Sequence, residues 1–289
     1  EDQDFWRFSG IARGVEIYTR EKERIEDVHV TGWADGRLKV RVEVTKGIRL
    51  VDLEVIDANG RGVLAVDGIK VANGVAEIET EVLNPALWSA EDPNLYKLTV
   101  RADTRKEAVD FTEIPFGFRT VEVVGNQLMV NGKPILIKGA DRHELSPSGG
   151  YIVTEAEMIR DIRIMKELNI NAVRTCHYPD DPRWLALCDK YGLYVVDEGN
   201  IESHGMGYGP ATLAKNPLFA AAHLERDSRM VKRDFNHPAV IIWSLGNEAG
   251  AGPNFEACYD WIKAYDPSRP VQYEQAVIGR ERRSLRYTD

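Results

Sequence analysis

The sequence predicts two domains of different class, an all-β sandwich followed by a parallel α/β unit. Three observations carry this. From about Val40 to Phe118, apolar and polar residues alternate with period two, as in strands with one wet face. After Gly132-Lys133-Pro134, short apolar runs alternate instead with segments of helical period. The 289 residues are 43% hydrophobic and 29% charged, enough apolar side chains for two cores.

In the first part, Leu38, Val40, Val42 and Val44 alternate with Lys39, Arg41 and Glu43, and Tyr96, Leu98, Val100 and Ala102 alternate with Lys97, Thr99 and Arg101. Turn residues separate such runs at Asp35-Gly36, Asn59-Gly60, Asn73-Gly74 and Asp92-Pro93-Asn94. Short strands so spaced over about 100 residues predict a sandwich of immunoglobulin type. It would lack an inter-sheet disulfide, because no cysteine lies there.

In the second part, Ile135-Leu136-Ile137 reads as a short buried strand. Thr154 and Glu157 form a capping box that starts a helix with Met158, Ile162, Met165 and Leu168 on one face. There follow strand Asn171–Arg174, helix Arg183–Lys190 stopped by Gly192, and strand Leu193–Val196. A helix within Leu218–Asp234, strand Val240–Trp243, helix Phe255–Ala264 and strand Val271–Tyr273 complete the series. Such alternation predicts a parallel sheet with right-handed crossovers. A closed eight-stranded barrel needs about 250 residues, so this is either an open sheet or a barrel cut a little past its middle. The arginine-rich Ile278–Tyr287 has no clear period and reads as a loop or frayed end.

Net charge is −9, which disfavours nucleic acid or an anionic membrane as partner, and no apolar run approaches the ~18 residues of a membrane helix. The acidic start, Glu1 to Asp4, shows no signal-peptide pattern. Cys176, Cys188 and Cys258 are odd in number and widely spaced. They read as reduced core thiols, fitting the cytoplasm better than the periplasm.

Reactive side chains collect after each strand of the second part: Asp141, Arg142, His143 and Glu144; Arg174, Cys176 and His177; Asp197, Glu198, Asn200, Glu202 and His204; Asn247 and Glu248; Glu274. The carboxyl ends of parallel strands are where catalytic groups converge. Glu202 and His204, two apart, point the same way in an extended segment and suit Mg²⁺ or Mn²⁺. On spacing alone, a loop carboxylate hydrogen-bonded to a nearby imidazole is the plainer reading. At the tip of an apolar strand, Glu248 is a carboxyl whose protonated form burial would favour, as a general acid requires. The alternative is a helix-start carboxylate taking backbone N–H groups. Trp88, Trp184, Trp243 and Trp261 read as core anchors, with a sugar-stacking role for one or two as the alternative.

Several motifs together resemble glycoside hydrolase family 2, in particular its large bacterial β-galactosidases. They are Trp6–Ile11, Asn131-Gly132-Lys133-Pro134, Lys138–Glu144, Cys176-His177-Tyr178-Pro179, Tyr191–Glu198, Ile201–Met206, Trp243–Glu248 and Ser268–Glu274. The resemblance implies the tail of an N-terminal jelly-roll domain over residues 1–18 and an immunoglobulin-like β-sandwich over 19–118. Over 119–289 it implies the first part of a catalytic domain, an incomplete (β/α)8 TIM barrel. It implies Glu248 as general acid/base, Asn247, His143 and His177 as sugar-binding residues, and Glu202, His204 and Glu248 as Mg²⁺ ligands. Arg174, Asp197 and Glu198 would support them.

The implied reaction is hydrolysis of terminal β-galactosides with retention. The family's nucleophile follows the seventh barrel strand, which this chain does not reach, so the chain reads as an internal fragment, inactive alone. Na⁺ is a further expectation for the longer parent. A homo-oligomer or a complementing chain is the expected partner, since a partial barrel exposes strand edges. A β-glucuronidase, a β-mannosidase or a non-catalytic sugar-binding fragment are the competing readings. Gly199 departs from the family, standing where alanine is common.

Overall fold

The computed structural model describes residues 10–11, 13–104, 107–277 and 287–289. Most of the Trp6–Ile11 motif and of the Ile278–Tyr287 stretch lies outside the described residues, and the described part of 1–18 forms no helix or strand. The chain divides into two compact units. One comprises residues 15–120 with 236–238, the other 1–14, 121–235 and 239–289.

The first unit is a sandwich of seven antiparallel strands: β1 (Ile25–Gly32), β2 (Arg37–Val44), β3 (Leu50–Ile56), β4 (Gly62–Lys70), β5 (Val75–Glu81), β6 (Tyr96–Asp103) and β7 (Ala108–Phe116). One sheet has the order β1-β2-β5, the other β4-β3-β6-β7. The predicted alternation on β2 and β6 is the core: Leu38, Val40, Val42, Leu98, Val100 and Ala102 are all buried. Asn73-Gly74 turns the chain into β5 with positive φ at both residues (53° and 80°), which Asn and Gly tolerate best. In β1 the register shifts between Ile25 and Asp27, and from Val28 to Gly32 buried and half-buried residues alternate as they do on β2.

The second unit opens with a small antiparallel sheet, β8 (Val121–Val124), β9 (Gln127–Val130) and β10 (Lys133–Pro134). Then come β11 (Gly139–Arg142), α1 (Glu155–Glu167), β12 (Ala172–Thr175), α2 (Pro182–Tyr191), β13 (Tyr194–Glu198), α3 (Ala220–Asp234), β14 (Val240–Ser244), α4 (Pro253–Tyr265) and β15 (Val271–Gln272). The five strands β11 to β15 pair in parallel in chain order, the arrangement of a TIM barrel's first part. Among the described residues no helix is long and apolar enough to cross a membrane.

The Thr154–Glu157 capping box is present in both directions. Gly192 ends α2 in the left-handed conformation, its N–H returning to the Cys188 carbonyl. Two expectations need correction. The first strand begins at Gly139, and Leu136 and Ile137 are exposed. The Asn171 side chain occupies Lys138 N–H (2.8 Å) and the Leu136 carbonyl (3.0 Å), taking backbone groups a strand would have paired. On α1, Met158 and Ile162 are buried but Leu168 is exposed, because it is the C-cap, past the last turn. Cys176, Cys188 and Cys258 are buried and free, and Trp88, Trp184 and Trp243 are fully buried anchors.

Candidate active site

Glu198, the last residue of β13, organises the strand ends. It is fully buried and accepts from Arg174 Nε (2.7 Å), from His177 Nδ1 (2.7 Å) and from Ser244 Oγ (2.6 Å), with Arg174 Nη2 in ion-pair contact at 2.6 Å. Three donors and the charge of one guanidinium around this carboxylate make its burial tolerable. Arg174 reaches onward to Asp141 (3.3 Å) and to Asn247 Oδ1 (2.9 Å). The Asn247 amide donates to Glu202 Oε1 (2.9 Å), and Asn247 N–H donates to the Ile201 carbonyl (2.8 Å). Residues from β12, β13, the following loop and β14 are thus tied into one polar network.

His177 and His143 stand edge to face, ring centroids 5.7 Å apart. Burial alone would lower the His177 pKa, but the hydrogen bond and charge of Glu198 outweigh it and hold it above the ordinary imidazole value. With Nδ1 held by Glu198, His177 Nε2 is the nitrogen left to face a ligand. Among the described residues, only His143, Cys176 and His177 bring three metal-type donor atoms within 4.8 Å of one another. Burial pushes the Cys176 thiol up to about 12, so it enters as a neutral core group, and the two imidazoles make a polar wall.

Glu202 and His204 do come together: Oε1 and Nδ1 lie 3.5 Å apart. Glu202 Oε2 and His204 Nδ1 are buried and without a hydrogen bond. One carboxylate oxygen and one imidazole nitrogen left over in this way fit a hard divalent cation. Glu248 is not drawn into the same cluster. It is exposed, whereas Asn247 and Ala249 beside it are buried, so the burial expected at the strand tip is not found. The main chain takes a left-handed turn at Glu248 (φ 44°), which carries the side chain out of the sheet end. Its carboxylate meets the Tyr208 hydroxyl at 3.4 Å. Nor is Glu248 a helix-start carboxylate, because α4 begins only at Pro253.

Other strand-end residues turn away. Arg142 is buried against Asp180 (2.7 Å), its guanidinium 3.8 Å above the Trp184 ring. Glu144 takes Asp181 N–H (2.8 Å) and Arg13 (2.7 Å). Strand alternation explains Arg142, since neighbours on a strand face opposite sides. Asp197 likewise points away from Glu198 and lies with buried Asp234; burial, then the second carboxyl, push its pKa well above the usual range. Sequence reasoning missed Ser244 and Tyr208. A lone serine closing an apolar strand was a usable signal for the first, but the glycine-rich loop Gly205–Gly209 offered none for the second.

Residues 121–287 match the family model described as glycosyl hydrolases family 2, TIM barrel domain, and residues 23–119 match glycosyl hydrolases family 2. A β-galactosidase of Alteromonas mediterranea is 44% identical over 290 residues, and one of Aeromonas hydrophila 45% over 289. Each alignment covers 95% of this chain, which spans only 28% of either relative. Among solved structures, Faecalibacterium prausnitzii β-glucuronidase aligns with TM-score 0.73 and 31% identity over 87% of this chain and 42% of its own. Bifidobacterium dentium β-glucuronidase, complexed with coumarin-3-O-glucuronide, gives TM-score 0.75 and 27% identity over 87% and 44%.

Proposed function

Because this chain belongs to glycosyl hydrolase family 2, we propose that the protein carrying it hydrolyses terminal non-reducing β-D-galactosides with retention. In this reading Glu248 is the general acid/base. The observation that carries it is the fixed Asn247 amide beside Glu248, held between Arg174 and Glu202 at the carboxyl end of β14. A clamped amide next to a projecting carboxyl is what a sugar hydroxyl and its adjacent glycosidic oxygen require. Relatives bearing the name β-galactosidase, matched over 95% of the chain, support galactose as the sugar.

Glu248 would give its proton to the leaving oxygen as the glycosidic bond breaks and a carboxylate nucleophile bonds to the anomeric carbon. It would then take a proton from the water that releases the sugar. That nucleophile lies about 5–5.5 Å from the acid in retaining enzymes. We assign it to a part of the longer protein beyond the five strands described. His143 and His177 line the sugar side. Glu202 and His204 would hold a divalent cation, Mg²⁺ by their chemistry, which would supply fixed positive charge near the acid. Na⁺ belongs to the same proposal for the whole protein. Among the described residues β11 and β15 are paired on one side only, and we infer that further strands of the longer protein, or a partner chain, cover them.

The similarity to β-glucuronidase structures favours one alternative, a glucuronide substrate on the same scaffold. Comparing kcat/KM of the full-length protein on aryl β-galactoside, β-glucuronide and β-mannoside separates the readings, with galactoside expected to lead. In the full-length protein Glu248→Gln is expected to lose most activity on alkyl galactosides and far less on dinitrophenyl galactoside, whose leaving group needs no proton. Equal loss on both would remove Glu248 from the acid role.

A further inference from the structure

Four successive main-chain N–H groups around Glu248 each have their own acceptor. Asn247 N–H donates to the Ile201 carbonyl (2.8 Å), Glu248 N–H to Glu274 Oε1 (2.6 Å), Ala249 N–H to the Tyr273 hydroxyl (3.1 Å) and Gly250 N–H to Gln275 Oε1 (2.8 Å). The Tyr273 hydroxyl donates in turn to the Gly250 carbonyl (2.7 Å), and the Thr212 hydroxyl to the Ala249 carbonyl (2.6 Å). Three of the four acceptors are the side chains of consecutive residues just after β15. They grip a turn in which Glu248 adopts a left-handed φ of 44°, uncommon for a residue with a side chain. A conformation of that kind persists where its surroundings over-determine it.

We propose that Tyr273, Glu274 and Gln275 form a clamp that aims Glu248, with Glu274 as its principal positioning residue. The proposal rests on Glu248 being the acid/base. Among the described residues the Glu248 carboxylate meets only the Tyr208 hydroxyl, at 3.4 Å. The direction of the side chain is therefore set by its own backbone, and the backbone is set by the clamp. Glu274 acts through an acceptor oxygen on a main-chain N–H and transfers no proton itself. Tyr273 is further fixed by its ring, stacked on Phe255 at 4.1 Å.

The test is steady-state kinetics of the full-length protein on an alkyl and a dinitrophenyl β-galactoside. Glu274→Ala is expected to lower kcat on the alkyl substrate about 100-fold, the cost of a misplaced group of about 1 Å. KM should hold, and the loss on the dinitrophenyl substrate should be much smaller. Glu274→Gln keeps an acceptor oxygen and is expected to restore kcat. Tyr273→Phe keeps the ring, removes only the hydroxyl and should show the same substrate dependence to a smaller degree, whether or not Glu274→Ala folds. Equal loss on both substrates in Glu274→Ala, or a Glu274→Gln variant as damaged as Glu274→Ala, overturns the clamp. Glu248→Gln run alongside separates the two ideas. If it shows no dependence on leaving group, the acid reading falls; if it does and Glu274→Ala does not, only the clamp falls.

Discussion

Gly199 sits directly after the buried hub Glu198, and its φ lies outside the left-handed region, so space alone decides what can stand there. A Cβ at this position would lie 1.9 Å from Asp227 Oδ1, 3.1 Å from its Cγ and 3.3 Å from the Leu245 carbonyl oxygen. Contact distances near 3.5 Å mean the Asp227 carboxyl must retreat by about 1.5 Å. It has little room to do so, being fully buried on α3 beside the Cys258 thiol, with burial holding its pKa well above the carboxylate range.

Overpacking of this kind costs about 1–3 kcal/mol. We expect Gly199→Ala to destabilise the α/β unit by about 2 kcal/mol, a fall in Tm of about 4–8 °C for a domain of this size. Asp227→Ala removes the obstructing carboxyl and an uncomfortable buried acid, and should change stability by less than about 1 kcal/mol. Combined, the two should show a favourable coupling of about 1–2 kcal/mol, because the new methyl enters the space left by the carboxyl. Urea unfolding followed by tryptophan fluorescence reads this unit through buried Trp184 and Trp243. If Gly199→Ala costs the same with Asp227 absent as with it present, the steric explanation of this glycine is wrong.

Glu198→Gln removes one partner of a buried charge network and should cost about 3–5 kcal/mol; with the Glu198 charge no longer offsetting burial, the His177 pKa should drop, which an NMR titration of its ring protons would read. For the pair Asp197 and Asp234, the raised folded pKa of Asp197 means the native state binds more protons than the unfolded chain above the ordinary aspartate value, so stability falls as pH rises from about 4 toward the folded pKa. Asp197→Asn should flatten that fall in a pH series of urea midpoints. Mg²⁺ titrated calorimetrically into the full-length protein should bind, and Glu202→Gln should weaken it at least about 10-fold, the loss expected when a charged oxygen ligand is replaced; unchanged binding would remove Glu202 as a ligand.

What the sequence determined by itself was local. Period-two alternation marked β2 and β6, the Thr154–Glu157 pair marked the start of α1, and Gly192 marked the end of α2, because each signal is carried by residues within one turn or one strand of each other. The gathering of Arg174, His177, Glu198, Asn247 and Glu202 was legible for a related reason: parallel strands all present their carboxyl ends on one side, so chain order alone brings those loops together. Tertiary structure decided what depends on residues far apart in the chain. It turned Arg142 toward Asp180 and Trp184 and let Asn171 hold Leu136 and Lys138 out of a strand. It also set Glu248 in an exposed left-handed turn gripped by residues 273–275, and filled with Asp227 the space that Gly199 leaves open. These are matters of steric fit and hydrogen-bond pairing across 24 or more residues of chain, which no local propensity encodes.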